Sequence, residues 1–344
     1  MGAIIPSQVE STSTKRYLAK VGVRPRYVGK VRHTYPCPGR PDLLLVETTD
    51  RLSIFDFVLA VFVPYKGEVL TALTHFWLTH ILGEFPHHLV PSQKSPLLNA
   101  AHDLKKNLPR LALERCLVIR KMEIPPYEMI FRRHLGGSVF AKYLETGLVA
   151  GVPYPMSIPK WGYLERAAFT PSTKEVSGHD VNINVQEYLD AMGEAGERAV
   201  EMFSLAYERA YVHARTRGVL ILDTKFEGLY AICDEALTPD SSRFTTAQDF
   251  QEAIAQGRDP LFHDKEFVRQ WGRKVETPFF DEETGERITG INNLNPENPD
   301  HIAFVHARTV PKEIIDVTSQ RCLEIFQMIV GCTLEEYKRD VMYV

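Results

Sequence analysis

The chain has 344 residues, 44% of them hydrophobic and 24% charged, and its 40 basic against 44 acidic side chains leave a formal net charge of −4. That balance excludes a general basic field that would draw the chain to nucleic acid, and no apolar run reaches membrane-spanning length. The five cysteines, an odd number with no CxxC pair, argue against a disulfide framework or a structural zinc site and fit a reducing compartment.

Length alone is a soft prior for two or three domains. The opening MGAIIPSQVESTSTKRY lacks a basic n-region and breaks its apolar patch at Pro6, so it does not read as a signal peptide, and the cytoplasm is the expected setting. Residues 1–20 read as a loosely held leader. Tyr27–Tyr35 and Leu43–Thr48 are β-rich, and the turn cluster Pro36 to Pro41 joins them as a hairpin. Leu70–Leu82 carries apolar residues at helical spacing and stops near Gly83. Strands are expected at Leu117–Ile124 and Tyr127–Arg132, with a loop-like passage over Gly147–Pro159. Val185–Thr216 is the longest helical stretch, closed by Gly218 before the β-branched run Val219–Phe226. The polar, turn-rich stretch 275–310 is expected as a surface excursion, followed by an amphipathic helix over Pro311–Gly331. Strands and helices do not alternate as βαβ units require, so the fold class is α+β. The division is a leader (1–20), a β-rich N-terminal domain (21–120) and a larger α+β domain (121–344).

The densest chemistry follows four apolar residues: Asp223-Thr224-Lys225-Phe226-Glu227, then Asp234-Glu235. In a strand Asp223, Lys225 and Glu227 share one face. Carboxylates at this density can hold Mg²⁺ through oxygen, and a lysine beside them can neutralise a phosphoryl group. For the segment alone, a solvated hairpin with cross-strand ion pairs is the alternative. A turn at Gly228-Leu229 sets Asp223 opposite Asp234; one at Tyr230-Ala231 sets Glu227 opposite Asp234. Both keep the acids on one face. Arg243, beyond the turn builder Pro239-Asp240-Ser241-Ser242, offers a planar fork for carboxylate or phosphate, although taken alone the segment is better read as a plain capped turn with a surface arginine. Gly29 with Lys30 and Arg32 could cover nucleotide phosphates, but the P-loop spacing is absent. Basic groups for phosphates and acids for a metal together fit phosphoryl transfer.

In order, the runs GKVR (29–32), TDRLSIFD (49–56), KGEVLT (66–71), PYEMIFR to GGS (126–138), FTPSTK (169–174), GHD (178–180), DTKFE (223–227) and DEALTPDSSRF (234–244) resemble the succinocarboxamide synthase family of purine biosynthesis. The resemblance spans about Gly29 to Gly331. It implies an ATP-grasp-related α+β enzyme with its nucleotide site between the two domains, which uses ATP and Mg²⁺ to phosphorylate the carboxylate of carboxyaminoimidazole ribonucleotide (CAIR), so that L-aspartate displaces phosphate and forms an amide. It further implies that Glu227 and Asp234 hold Mg²⁺ and that Lys225 and Asp223 are catalytic. Gly29, Lys30, Arg32, Lys66 and Glu128 fall on the nucleotide side. Arg132, Ser138 and Arg243 grip the ribonucleotide's phosphate and carboxylate, and Ser53, Asp56, Lys174 and Asp180 line the substrate side. The chain departs from the family's pattern at His33, His87-His88, Gly136, Phe140, Val181 and Gly228, mostly around the substrate pocket. A related amide ligase with another acid or amine, and an inactive nucleotide-binding regulator, are the alternatives. The expected partners are small molecules only, without nucleic acid or membrane, for a monomer or homodimer.

Overall fold

In chain order the structure, a computed structural model describing residues 3–90, 108–174, 180–281 and 283–344, begins with helix α1 (Ser13–Lys20) and strands β1 (Tyr27–Val28), β2 (Arg32–Cys37), β3 (Arg40–Thr48), β4 (Arg51–Ile54) and β5 (Phe57–Phe62). Helices α2 (Lys66–Phe76) and α3 (Arg110–Leu113) precede β6 (Cys116–Arg120) and β7 (Tyr127–Leu135). Next come α4 (Ser138–Thr146), the small ladder of β8 (Leu148–Val149) with β9 (Val152–Pro153), then β10 (Gly162–Phe169) and β11 (Ser172–Thr173). The long α5 (Val185–Thr216) leads into β12 (Val219–Phe226), β13 (Ser242–Thr246), α6 (Ala247–Ala255) and α7 (Glu266–Gly272). The chain ends with β14 (Glu276–Phe280), β15 (Arg287–Thr289), α8 (Pro299–His306), α9 (Lys312–Val330) and α10 (Leu334–Tyr337).

Two antiparallel sheets organise these elements. The first runs β1-β2-β3-β6; the second runs β10-β7-β12-β13, with β11 also on β7. Antiparallel sheets with separate helices make the fold α+β, as the sequence leads one to expect. Among the described residues, no helix is long and apolar enough to cross a membrane.

The second sheet is two-faced because its strands alternate. Phe131 of β7 and Phe226 of β12 point at α5, whose Phe203, Ala206, Tyr207 and Ala210 are buried against them. A capping box between Asn184 and Glu187 starts α5, Gly193 (φ 56°) breaks its regular dihedrals, and Gly218 (φ 72°) follows its end. The Tyr207 hydroxyl accepts from the Arg133 N–H at 3.1 Å and donates to the Ile221 carbonyl at 2.6 Å, which ties the helix to both central strands. The opposite face of the sheet is left to Glu128 and Arg132 of β7 and to Asp223 and Lys225 of β12.

Three expectations need correction. The leader is not loosely held: α1 forms, Thr12 caps it, and Val9, Thr14 and Leu18 are buried. Leu18 docks under the first sheet beside Tyr35 and Leu45, an apolar anchor that a short polar-looking segment hides. The 275–310 stretch is only partly a surface excursion. Its Ile291, Leu294, Val305 and Val310 close a core with Leu52, Ile54, Phe57 and Leu59 of β4–β5, because its few apolar residues converge on one side. Within the loop-like 147–159, a β8–β9 hairpin forms around Gly151 (φ 83°).

The C-terminal end is fastened by charge. Lys338, 2% exposed, donates to Glu68 at 2.6 Å and lies 3.4 Å from Glu114; Arg115 reaches Glu68 at 2.8 Å and Asp50 at 2.5 Å. Asp50 in turn accepts from the Gly67 N–H at 2.8 Å and so fixes the start of α2. Removing one partner from a buried ion pair strands the others. Lys338→Met is therefore expected to destabilise the protein by about 3–5 kcal/mol in urea unfolding; a midpoint equal to that of the parent would show that Glu68 and Glu114 do not need it.

Candidate active site

The polar row on β12 is set by register. Asp223 lies opposite Arg132 of β7 on one side and opposite Arg243 of β13 on the other. Arg132 donates to Asp223 at 2.8 Å and to Thr170 at 2.9 Å, and Arg243 grips the same carboxylate at 3.1 and 2.9 Å. Asp223 is 6% exposed and its oxygens are engaged by two guanidinium groups, so what the geometry gives it is the orientation of the arginines. Two residues along, Lys225 pairs with Glu128 at 2.5 Å, and Ser172 donates to the other oxygen of Glu128 at 3.2 Å. Burial opposes the charge on Lys225, but Glu128 and Glu227 raise its pKa, so it stays protonated.

Acids gather at the far end of the strand. Glu227, 5% exposed, pairs with Lys174 at 2.5 Å; Asp234 takes a bidentate grip from Arg32, which also lies 3.5 Å from Glu235. Burial pushes the Glu227 carboxyl up and Asp234 adds to the effect, against Lys174 and Lys225. Asp234 is held below the ordinary carboxylate range although burial works the other way, because Arg32 and Lys174 favour its charge. Among the described residues no group of three or more His, Cys, Asp or Glu side chains gathers as a metal site. Two crowded carboxylates are nonetheless what Mg²⁺ uses, since it takes one or two and fills its other positions with water and phosphate oxygens.

Neither sequence register is the one formed. Glu227 bridges Cys233, whose N–H reaches its carbonyl at 2.8 Å, and β12 pairs with β13 rather than with 233–236. The bend needs Gly228 (φ 130°), where a Cβ would overlap the Ala231 carbonyl. Asp234 itself adopts φ 60°, which aspartate tolerates better than most residues.

At the opposite end Gly137 (φ 68°) precedes α4 with no side-chain cap on its N-terminus, and a Cβ on Gly137 would lie 2.7 Å from Nη1 of Arg243. Ser138 opens α4; its side chain lies outside the described structure, as do Gly178 and His179. Two arginines beside an open helix N-terminus suit an anion.

Between β1 and β2, the loop carrying Gly29 and Lys30 is clamped from the next hairpin. Thr49 donates to the Val31 carbonyl at 2.6 Å and the buried Arg51 to the Gly29 carbonyl at 2.9 Å. Lys30 pairs with Asp56, Ser53 is buried in β4, and Asp180 is exposed. Lys66, expected on the nucleotide, is 1% exposed and bonded to Asp240 at 2.6 Å, so its reach is spent inside the protein. Of the departures, His33 joins a buried network with Glu47 at 2.8 Å and Tyr35, away from the acids, and Val181 is exposed. His88 lies closer: burial pushes it down to about 4 and Arg32 adds to this, although Asp234 opposes.

Sequence reasoning met Arg51 and Asp240 only as parts of longer runs and passed over Asp264, Lys265 and Trp161. Lys265 is pushed down to about 8 by burial, against the pull of Asp240 and with help from Arg269 and Lys66; Asp264 is pushed up to about 7 by burial. The only signal was the adjacent His263-Asp264-Lys265 charges in a short connection.

The sequence profile of the SAICAR synthetase family matches residues 25–285. The phosphoribosylaminoimidazole-succinocarboxamide synthase of Schizosaccharomyces pombe is 31% identical over 88% of this chain and 93% of its own length. That of Chromobacterium violaceum is 37% identical over 71% of this chain and 85% of its own. The solved SAICAR synthase of Saccharomyces cerevisiae, complexed with SAICAR, superposes with a TM-score of 0.69 at 26% identity, covering 90% of this chain and 96% of that one.

Asp264 yields a pH prediction. Its folded pKa, about 7, lies above the usual 3.8, so between these values the folded protein binds more protons than the unfolded chain and stability falls as pH rises. Asp264→Asn is expected to flatten that decline, by up to about 4 kcal/mol over the whole range and by about 2.5–3 kcal/mol between pH 5 and pH 8. Urea unfolding at pH 5 and pH 8 checks it; equal slopes for both proteins would mean the acid is not buried as described.

Proposed function

The chain belongs to the SAICAR synthetase family, and on that premise we propose that it is an ATP-dependent ligase of purine biosynthesis, joining L-aspartate to CAIR through an acyl phosphate. The observation that carries this reading is the β12 row: arginines at Asp223, a protonated lysine in the middle, and crowded acids at Glu227 and Asp234. The arginine end would complement a ribonucleotide's anionic groups, the acid end would take a triphosphate through its bound cation, and the lysine would lie between them.

The chemistry needs no protein nucleophile. A carboxylate oxygen of CAIR attacks the γ-phosphorus as ADP leaves; the aspartate amine then attacks the acyl carbon, loses a proton, and phosphate departs with that oxygen. Phosphorylation is required because a carboxylate resists amines until its oxygen can leave. Lys225 is the candidate to stabilise charge on the transferring phosphoryl group and on the acyl phosphate, since Glu128 holds its ammonium in place. Arg132 and Arg243 are the candidates for the ribonucleotide's anionic groups, with Asp223 as their positioning residue. Arg32 and Lys30 suit the triphosphate, while Lys174 and Lys265 suit the substrate's carboxylates. The residues fit Mg²⁺: Glu227 and Asp234 would hold it, and when bound it would neutralise the triphosphate. Glu227's raised pKa supports this, because a divalent cation relieves two close carboxylates.

Phosphate release with ATP, CAIR and L-aspartate tests the reading. Lys225→Ala is expected to keep its fold, with some loss of melting temperature because the buried Glu128 loses its partner, while kcat falls about a hundredfold to a thousandfold, the usual loss for one preorganised electrostatic donor. Asp223→Asn is expected to raise the CAIR KM with little change for ATP. Unchanged kcat in the lysine variant would remove Lys225 from the mechanism.

A further inference from the structure

Trp161 stands out by the number of constraints placed on one side chain. It is 4% exposed, yet its backbone lies in the left-handed region at φ 64°, where a bulky residue is strained. Its N–H donates to the Leu135 carbonyl at 2.7 Å, and the Trp161 carbonyl accepts from His134 Nδ1 at 3.0 Å, so both peptide groups are fixed. The indole N–H donates to Asp259 at 2.8 Å, and Lys160 holds that carboxylate at 2.6 Å. The ring lies directly on Gly136: a Cβ there would overlap three ring carbons.

What all this fixes is Arg243. Its guanidinium carbon is 5.4 Å from the centre of the Trp161 ring, within cation–π range. Nε and Nη2 are taken by Asp223, and Nη1 lies nearest Gly137, ahead of the uncapped start of α4. A carboxylate fixes a guanidinium along one edge but leaves it free to tilt about that edge; an aromatic face removes the tilt. Simple core filling explains the burial of Trp161, but not a strained backbone, a pinned indole N–H and a glycine admitting the ring at the same point.

We propose that Trp161 is a positioning residue of the anion subsite: seated on Gly136 and pinned by Asp259, its indole face holds the Arg243 guanidinium in the plane that receives the phosphate monoester of the ribonucleotide. This rests on the reading of Arg243 given above. Steady-state kinetics should measure KM for CAIR and for ATP in Trp161→Leu, Trp161→Phe, Gly136→Ala, Asp259→Ala and Arg243→Ala, together with activity on the dephosphorylated ribonucleoside. Trp161→Leu is expected to raise the CAIR KM about tenfold, from the strength of a desolvated cation–π contact, with the ATP KM within about twofold. Gly136→Ala should give the same split by pushing the ring away, and Trp161→Phe, which keeps an aromatic face but loses the hydrogen bond to Asp259, should recover part of the loss, to about the threefold rise of Asp259→Ala. The loss should vanish on the ribonucleoside, which a merely structural defect would not do. Asp259 is half-exposed, so Asp259→Ala is expected to fold and to raise the CAIR KM about threefold even where the leucine variant fails to fold. The proposal is overturned if the folded variants leave the CAIR KM unchanged, or raise both KM values alike, while Arg243→Ala raises that for CAIR. Should Arg243→Ala itself leave the CAIR KM unchanged, the reading of the anion subsite falls instead, and the proposal with it.

Discussion

The interaction on which the site depends is the carboxylate of Asp223 held between Arg132 and Arg243. Three antiparallel strands must be in register for it to form, so it reports the register of β7, β12 and β13 at once. Burying three charges is costly, and apolar residues of similar volume often serve stability as well or better. Such a triad is weak evidence for stability and better evidence for a requirement that leucines could not meet. Its net charge is +1 at a place where an uncapped helix also begins, which turns the desolvation cost into a standing preference for an anion.

From that triad the charge along β12 changes sign within four residues. Lys225 follows the arginines, and Glu227, with Asp234 and Glu235 across the bend, completes the change. The apolar half of the strand makes this gradient rigid: Phe226, packed on Phe203, fixes the backbone whose other face bears the charges. A strand rising about 3.3 Å per residue separates Asp223 from Glu227 by about 13 Å, a span suited to two ligands meeting end to end. The row works because its spacing comes from the backbone, which side-chain motion cannot blur.

Much of this was legible in the sequence. The one-face placement of Asp223, Lys225 and Glu227 follows from period-two geometry, which does not depend on the partner strand. The hairpin register was not legible, because turn preference considers the nearest partner only. The segment after Gly228 bends away, and β12 pairs with residues 242–246 instead. Arg243 was recognised as a planar fork, but its stacking on Trp161 joins positions 82 apart in the chain, and no local pattern encodes that. The buried anchors at Leu18 and in 291–310 escaped for a related reason: a few apolar residues in polar stretches acquire meaning only when the fold collects them.

The ion pairs around the site also differ in how easily each can be exchanged. Lys30 with Asp56, and Lys174 with Glu227, involve lysines whose side chains are 46% and 43% exposed. The Lys30–Asp56 pair, exposed on both sides, holds little free energy in water, so an arriving phosphate can take Lys30 at small cost; Lys174 leaves behind the 6%-exposed Glu227, so it is exchangeable only where a cation takes its place there. Arg132 and Asp223 are nine-tenths buried, and separating them would strand a charge in a poorly hydrated place. The inner pairs therefore act as a fixed frame and the outer lysines as exchangeable partners. Lys225 belongs with the frame: Glu128, itself braced by Ser172, keeps its ammonium where it is. A group that stabilises developing charge is most effective when it does not have to reorganise as that charge appears, and this frame meets that condition before any ligand binds.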